Sequence, residues 1–344
     1  MKKMLAMLLA LVMVLSLAAC ASTPAETPAA ETPAAETPAS TEETPAEAPA
    51  SENRTYTVGV CQLVQHEALD AATQGFVDAL KEELGDAVTI DVQNASGDSV
   101  NCGTIVNGFV SKGVDLIMAN ATPALTAAVS ATADIPILGT SITAYGVALD
   151  IDDFNGTVGG NVSGTSDLAD LQAQAQMILD WFPETKTVGL LFCSAEPNSR
   201  YQVDEVRKAL EAQGVTCEEF AFTDSNDVSS VTQKAADSSD VIYIPTDNTA
   251  AANTEAIANV LIPAGVPAIC GEEGLCRGCG VATLSISYYD LGVTTGKMAA
   301  KILKGEADVS TMPVEYTDAT PKYNASVCEQ LGITPLDGYE AIEG

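Results

Sequence analysis

From Tyr56 onward, short runs of apolar and β-branched residues alternate with longer stretches in which apolar positions recur every three or four residues. The short runs predict strands, and the longer stretches predict amphipathic helices. This alternation is typical of βαβ units, so the chain predicts an α/β fold with parallel sheets. The predicted strands are 57–63, 89–93, 115–120 and 135–138, and the predicted helices are 66–84, 99–112 and 123–132.

The same pattern returns in the second half of the folded region. Paired segments are separated by about 130 residues at three landmarks, a spacing that indicates internal duplication. The sequence therefore predicts two Rossmann-like lobes, each built on an open parallel sheet. The paired segments are 57–59 with 187–189, 115–119 with 240–244, and 134–138 with 265–269.

The connections between the lobes predict a hinge of several chain segments. Residues 155–167 are rich in Gly, Ser, Thr and Asn, which suits a crossover between lobes. The predicted helix 288–304 follows the second copy, and we expect it to return to the first lobe. Such repeated crossings allow hinged lobes to close on a ligand. We assign residues 55–160 and about 286–318 to lobe 1, and residues 161–285 and about 319–344 to lobe 2.

The first 54 residues predict a secretory signal followed by a tether. Lys2 and Lys3 precede a short apolar run that ends in Leu17-Ala18-Ala19-Cys20, as in a secretory signal. The last four residues resemble the lipobox of bacterial lipoproteins, which implies cleavage after residue 19 and acylation of Cys20. An ordinary signal peptide with a coincidental Cys is the alternative. Residues 20–54 repeat Glu, Thr, Pro and Ala and predict an extended, disordered tether.

Composition excludes several classes of function. The chain has 47 acidic and 15 basic residues and a net charge of −32, which argues against binding to nucleic acid. Its single His and the lack of a Cys/His cluster in the sequence argue against a zinc enzyme. Hydrophobic residues make up 47% of the chain, enough for a sizeable core.

Polar residues follow the predicted strands of both lobes. Ligands of open α/β sheets bind outside the carboxyl ends of the strands, so these residues are expected to line a cleft between the lobes. Any one of Thr122, Asn198 and Asn248 is equally well explained as a helix N-cap. In lobe 1 the candidates are Gln62, His66, Asn120, Thr122, Thr140, Ser141 and Thr143, and in lobe 2 they are Ser194, Glu196, Asn198, Ser199, Thr246, Asp247, Asn248, Glu272 and Glu273.

These candidates suit a zwitterion. A helix N-terminus offers free N–H groups and partial positive charge to a carboxylate. Asp247 or Glu272 is then expected to accept hydrogen bonds from an ammonium group. A catalytic site is not predicted, because the sequence has no Gly-x-Ser-x-Gly elbow, no phosphate loop and no dinucleotide fingerprint, and a lone His66 is no acid–base pair. No cofactor and no metal are predicted.

Eight cysteines remain besides Cys20. Cys276-Arg277-Gly278-Cys279 has the spacing of a redox motif, but we interpret it as part of a Gly-rich loop. A local disulfide, a pair of thiols and half of a metal site all remain open for it.

Several motifs of the body from about 56 to 335 occur together in one known family. They include Gln62–His66, Ala121–Ala124, Gly164–Asp167, Asn198-Ser199, Tyr243–Asn248, Tyr288–Gly292 and Lys301–Glu306. Through these motifs the body resembles the ABC-transporter substrate-binding proteins of the tryptophan/tyrosine type. The resemblance implies the type I periplasmic binding protein fold and a monomeric clamp that delivers a solute to an ABC permease and its ATPase. It also implies an amino acid ligand, with aromatic side chains favoured, and adds Asp167 to the candidate binding residues.

Together with the lipobox, this resemblance predicts a lipoprotein held at the outer face of the cell membrane of a Gram-positive-type bacterium, with lipid as its only membrane contact. Two alternatives stay open within the same fold: a ligand-binding sensory protein, and an importer component for a nucleoside or another small solute. An exported enzyme would need a nucleophile or an acid–base pair that the motifs do not supply.

Overall fold

The computed structural model describes residues 54–343. The predicted signal peptide, the lipidation site Cys20 and the tether up to residue 53 lie outside the described residues. Between residues 54 and 343, no helix is both long enough and apolar enough to cross a membrane.

The first half of the described chain alternates strands and helices as the hydrophobic pattern predicts. The strands Leu116–Asn120 and Ile137–Ile142 are buried along their whole length, as expected for central strands of a sheet covered on both faces. The elements are β1 (Tyr56–Gln62), α1 (Glu67–Leu84), β2 (Val88–Asn94), α2 (Ser99–Lys112), β3 (Leu116–Asn120), α3 (Thr122–Ala131), β4 (Ile137–Ile142), α4 (Tyr145–Ala148) and β5 (Val162–Ser166).

The second half repeats this order and then adds elements that return to both lobes. The elements are α5 (Leu171–Trp181), β6 (Thr187–Cys193), α6 (Pro197–Glu211), β7 (Thr216–Phe222), α7 (Val228–Ser238), β8 (Val241–Ile244), α8 (Asn248–Ala251), α9 (Thr254–Ala264), β9 (Ala268–Cys270), α10 (Glu273–Cys279), β10 (Ala282–Ser285), α11 (Tyr288–Leu303), β11 (Glu315–Tyr316), β12 (Thr320–Tyr323), α12 (Ala325–Leu331) and β13 (Glu340–Ala341).

Two sheets define the two lobes. The lobe 1 sheet has the order β11-β5-β4-β3-β1-β2 and is parallel throughout. The lobe 2 sheet has the order β13-β12-β10-β9-β8-β6-β7, and only β12 runs antiparallel to its neighbour β10. The order β4-β3-β1-β2 in one sheet matches β9-β8-β6-β7 in the other, so the predicted α/β class and the predicted duplication are confirmed.

The chain crosses between the lobes three times, after Ser166, after Ser285 and after Tyr316. The sequence analysis placed the first crossing at residue 160, but β5 pairs with β4 and belongs to lobe 1. Its Val-Ser-Gly-Thr-Ser sequence resembles a connecting segment because the strand packs very closely. A Cβ on Gly164 would lie 2.0 Å from the Gly139 carbonyl oxygen, so only a residue without a side chain fits there.

Helix α11 returns from lobe 2 and packs along α1 in lobe 1. The two backbones approach through glycines: a Cβ on Gly75 would lie 2.1 Å from the Tyr289 carbonyl oxygen, and one on Gly292 would lie 2.0 Å from that of Ala72. Farther along, Met298 shares a buried apolar cluster with Phe76 of α1. Lobe 1 is therefore completed by a helix that follows lobe 2 in the chain.

The Cys276–Cys279 motif lies on a helix, which corrects its assignment to a loop. Both cysteines are buried on α10, where Gly278 packs against Thr254 instead of loosening the backbone. Tertiary packing thus outweighs the low helix propensity of glycine. All eight cysteines of the described part of the chain are free thiols.

Candidate functional site

A small cavity lies between the two lobes, at the carboxyl ends of their strands. Lobe 1 and its first crossover contribute His66, Leu69, Ser141, Thr143, Asp167 and Tyr288, and lobe 2 contributes Asn198, Thr246, Asp247, Asn248, Ala251 and Glu272.

Several predicted site residues lie beside this cavity and support its walls. The Gln62 amide donates to Asp70 Oδ1 at 2.6 Å and accepts from the Thr73 hydroxyl at 2.6 Å. Asn120 donates to that same hydroxyl at 2.9 Å and to the Leu69 carbonyl oxygen at 2.8 Å. This network fixes the first turns of α1 against the ends of β1 and β3.

Most of the remaining candidates outside the cavity also have structural partners. Glu196 accepts from the backbone N–H groups of Asn248 and Thr249 at 3.0 and 2.9 Å, which holds the start of α8. Thr122 and Ser199 are buried. The other three are Thr140, whose hydroxyl lies 3.2 Å from that of Thr165, Ser194, whose hydroxyl donates to the Phe222 carbonyl oxygen, and Glu273, which pairs with Lys322 and Arg277.

The alternative reading of Thr122, Asn198 and Asn248 as N-caps does not match the helix boundaries. Each of them lies inside its helix, and the cap positions are held by Ala121, Glu196 and Asp247 respectively.

The two lobe 2 carboxylates at the cavity are used by the lobe itself. Asp247 accepts from the Cys193 N–H at 2.6 Å with one oxygen and from the Ala250 N–H at 2.8 Å with the other. Glu272 accepts from the N–H groups of Gly274 and Leu275, and so caps α10. Burial raises the pKa of Glu272 to about 7, and burial next to Glu196 raises the pKa of Asp247.

Three other residues direct free polar atoms at the cavity. Asp167 Oδ2 accepts from the Tyr288 hydroxyl at 2.9 Å, while its Oδ1 has no partner within residues 54–343. Ser141 Oγ and Asn198 Oδ1 are likewise buried and without a partner in that range. An unsatisfied buried polar group costs about 1–3 kcal/mol, so three at one cavity indicate a site built for a ligand.

The N-terminus of α1 is open toward the same cavity. His66 occupies the N-cap position, and its side chain makes no capping hydrogen bond. The first-turn N–H groups have no intrahelical acceptor by geometry, and those of Ala68 and Leu69 belong to buried residues. With the helix dipole, they form a region of partial positive charge that suits an anion.

Two contacts join the lobes at the mouth of the cavity. His66 Nε2 lies 3.2 Å from Asn248 Oδ1, and the Arg277 guanidinium lies 3.1 Å from the Glu67 carboxylate. Burial lowers the pKa of His66, so the neutral imidazole donates through its Nε2–H. The lobes are thus closed on each other.

Tyr288 lines the cavity but is absent from the candidates predicted from strand ends. It follows β10 as directly as His66 follows β1, so the same rule covers it. The sequence pattern of residues 288–304 was interpreted only as a returning helix. Leu69 and Ala251 also line the cavity, but their side chains are apolar and so were not among the polar candidates.

Comparison with known proteins shows a family to which the chain is similar. The family described as ABC transporter substrate binding protein matches residues 57–338. The chain is similar to a tyrosine-binding protein of Clostridioides difficile, with 33% identity over 269 residues, which covers 76% of each chain.

Solved structures agree. The chain is similar to the ABC domain in complex with L-Trp from Streptococcus pneumoniae, with 33% identity, a TM-score of 0.79, and coverage of 84% of this chain and 100% of the other. It is also similar to the ligand-free, open structure of a substrate-binding protein with adhesive properties from Clostridium difficile, with 34% identity, a TM-score of 0.64, and coverage of 84% and 99%. The predicted type I binding-protein fold is confirmed.

Proposed function

This chain belongs to the family of ABC transporter substrate-binding proteins, which act outside the cytoplasm as components of ABC transporters, and from that premise we propose that it captures an aromatic α-amino acid. The tyrosine-binding relative and the L-Trp complex, each 33% identical to this chain, support that choice of ligand. The two lobes close on the amino acid, and the closed form delivers it to the permease.

The observation that carries the proposal is the separation of free acceptors and free donors around one cavity. Asp167 Oδ1 and Asn198 Oδ1 are unpartnered acceptors, which suit the ammonium group of an amino acid. The uncapped start of α1 supplies donors, and the unpartnered Ser141 hydroxyl adds one more, which suits the carboxylate. A zwitterion satisfies both sets at once.

Asp167 takes the place that the sequence analysis gave to Asp247 or Glu272. Both oxygens of each lobe 2 carboxylate already accept backbone N–H groups, so an ammonium group would have to displace those bonds or share the oxygens. Asp167 has one oxygen without a partner in the described chain, and no Lys or Arg lines the cavity. It is therefore the carboxylate with an unmet need for a positive charge.

The apolar lining suits a compact side chain held without water. Leu69, Ala251 and the ring of Tyr288 line the cavity. The TM-score is higher against the L-Trp complex than against the open, ligand-free structure, although the identities are nearly equal. This difference supports a closed arrangement of the lobes, the form that encloses a ligand.

The tether completes the proposal. We place lipidated Cys20 at the outer face of the membrane of a Gram-positive-type cell, with residues 21–54 as a spacer and the body as a monomer. A Cys20→Ser chain should then be released into the medium, whereas the native chain stays with the cells. Retention of the Cys20→Ser chain with the cells would contradict lipid anchoring.

The ligand is tested with the unlipidated Cys20→Ser chain and a thermal-shift screen of the twenty amino acids, nucleosides and sugars. A ligand at about 1,000 times its Kd stabilises by roughly 4 kcal/mol, which shifts Tm by several degrees. We expect L-tyrosine or L-tryptophan to give the largest shift.

Two matched controls test the zwitterion directly: the decarboxylated amine and the N-acetylated form of the same amino acid. Each lacks one of the two charges, so each should bind at least about tenfold more weakly. Equal binding of the amine would remove the carboxylate site at α1, and a shift by nucleosides alone would replace the amino acid ligand.

A further inference from the structure

We propose that Tyr288 is a positioning residue: its hydroxyl holds one oxygen of Asp167 and thereby directs the other, in ionised form, at the ligand's ammonium group. The inference rests on the proposed function, since it assigns a role to the residue that we expect to recognise the ammonium group.

The geometry places the pair at two crossings between the lobes. Asp167 directly follows β5, where the chain leaves lobe 1, and Tyr288 begins α11, where the chain returns to it. Both side chains are almost fully buried, with 5% and 6% of their surface exposed. The hydroxyl donates to Oδ2 at 2.9 Å, which fixes the plane of the carboxylate and leaves Oδ1 at the cavity.

No Lys or Arg among the cavity-lining residues compensates the charge of Asp167. The groups near it are Tyr288 from α11, Thr143 after β4, Tyr145 from α4 and Glu272 before α10, and the same cavity is lined by His66 before α1 and Asp247 before α8. Burial raises the pKa of Asp167, and the hydrogen bond from Tyr288 and the neighbouring Thr143 hydroxyl offset this rise in part. The Tyr288 hydroxyl therefore favours the ionised carboxylate where no cation is present to do so.

Loss of the Tyr288 hydroxyl should act through the ionisation of Asp167. Tyr288→Phe keeps the ring that packs at the cavity but frees Oδ2, so the pKa of Asp167 rises further. Because an ammonium group is held by the ionised carboxylate, affinity then falls most at acid pH. A ring that only packed against the ligand would give a loss independent of pH.

The test is calorimetric titration of the Cys20→Ser chain with L-tyrosine and L-tryptophan between pH 5 and pH 8. We expect Tyr288→Phe to weaken binding roughly tenfold at pH 7 and more at pH 5, relative to the parent at each pH. The matched control is Tyr289→Phe, which removes the next hydroxyl in the chain, one that is 43% exposed and bonded to Asp78. It should leave binding unchanged.

Asp167→Asn, alone and combined with Tyr288→Phe, completes a double-mutant cycle. In an Asp167→Asn background, Tyr288→Phe should have little further effect and the added pH dependence should vanish, because both changes remove one interaction. A loss of equal size at every pH, or a full effect of Tyr288→Phe without Asp167, would overturn the proposal.

Failure of the proposed function is read separately. If the parent chain binds neither amino acid at any pH, the aromatic ligand is wrong. The link between the two residues is then measured in the ligand-free protein, by following the carboxyl carbon of Asp167 with NMR as pH changes. A higher pKa of Asp167 in Tyr288→Phe supports the positioning role, and an unchanged pKa overturns it.

Discussion

The two lobes place similar polar residues at corresponding strand ends, yet they use them differently. In lobe 2, Asp247 and Glu272 accept N–H groups from the starts of the helices that they cap, and Glu196 accepts them from the start of α8. On the lobe 1 side, Ser141 and Asp167 keep an oxygen without a partner in the described chain, and the start of α1 is uncapped. Only Asn198 breaks this division, with a free oxygen in lobe 2.

The difference separates recognition from support. Apart from Asn198 Oδ1, the lobe 2 residues of the described chain that carry carboxylates at the cavity are internally satisfied, so most of that surface is formed before any ligand arrives. Lobe 1 and the first crossover have unmet hydrogen bonds, which a ligand satisfies. We therefore expect the charged groups of the ligand to bind lobe 1 and Asp167, with Asn198 as the lobe 2 contact to the ammonium group.

Asp167→Asn should have the largest effect on ligand affinity of the variants considered. It removes the charge that faces the ammonium group, so affinity should fall by about 2–5 kcal/mol, a loss of at least thirtyfold. The ligand-free protein should melt at the same temperature or higher, because an unpaired buried carboxylate is costly. Calorimetry and ligand-free melting measure the two effects, and a variant that lost stability but kept its affinity would reverse our assignment.

The pH dependence of stability tests the role of Glu272 in lobe 2. Glu272 has a folded-state pKa of about 7 against an ordinary value of 4.5, so the folded protein binds more protons between those values. Stability of the ligand-free chain should therefore fall as pH rises from about 4.5 to 7, by up to roughly 3 kcal/mol from this group. Urea unfolding should show a flatter pH profile for Glu272→Gln, and an identical profile would refute the assignment.

Asp247→Asn should act on stability before affinity. One of its two oxygens becomes an amide nitrogen, which cannot accept from Cys193 or Ala250, so unfolding should cost about 1–3 kcal/mol less. The matched control is Asp170→Asn, an exposed cap of α5 that should lose about 1 kcal/mol or less. A large loss of affinity with unchanged unfolding in urea would return Asp247 to the ligand site.

The smallest effect is expected where the lobes meet outside the cavity. Glu67→Gln removes a half-exposed ion pair with Arg277, worth about 0.2–1 kcal/mol, so affinity should fall less than about fivefold. The control Glu83→Gln breaks a similar pair with Lys304 inside lobe 1 and should leave affinity unchanged. Equal effects of the two variants on binding would mean that the Glu67 pair does not favour closure.

The fold could be predicted well from the sequence because the alternating pattern of strands and helices occurs twice, once in each half of the folded region. It predicted where polar residues lie, since strand ends can be read from periodicity. It did not predict which oxygen of a carboxylate is free, because that depends on where a neighbouring helix begins. From the sequence, Asp247 and Glu272 are candidates for the ammonium group, and in the structure their oxygens accept the N–H groups of Cys193, Ala250 and Gly274.

Two features of the structure depend on tertiary packing and could not be predicted from the sequence pattern. β5 lacks large apolar residues because Gly164 lies against β4, so its pattern resembled a connection. Tyr288 follows a strand end, but its hydrogen bond to Asp167 forms only because α11 crosses back to lobe 1, which no local pattern encodes.

The packing of α11 on α1 has a consequence for the order in which the molecule is made. Tyr289 reaches Asp78 across 211 positions of the chain, so a chain that emerges N-terminus first cannot finish lobe 1 until lobe 2 has been synthesised. Contacts of such long range slow folding. Until α11 arrives, the face of α1 around Gly75 stays uncovered, and the emerging chain remains without a closed first domain for most of its synthesis.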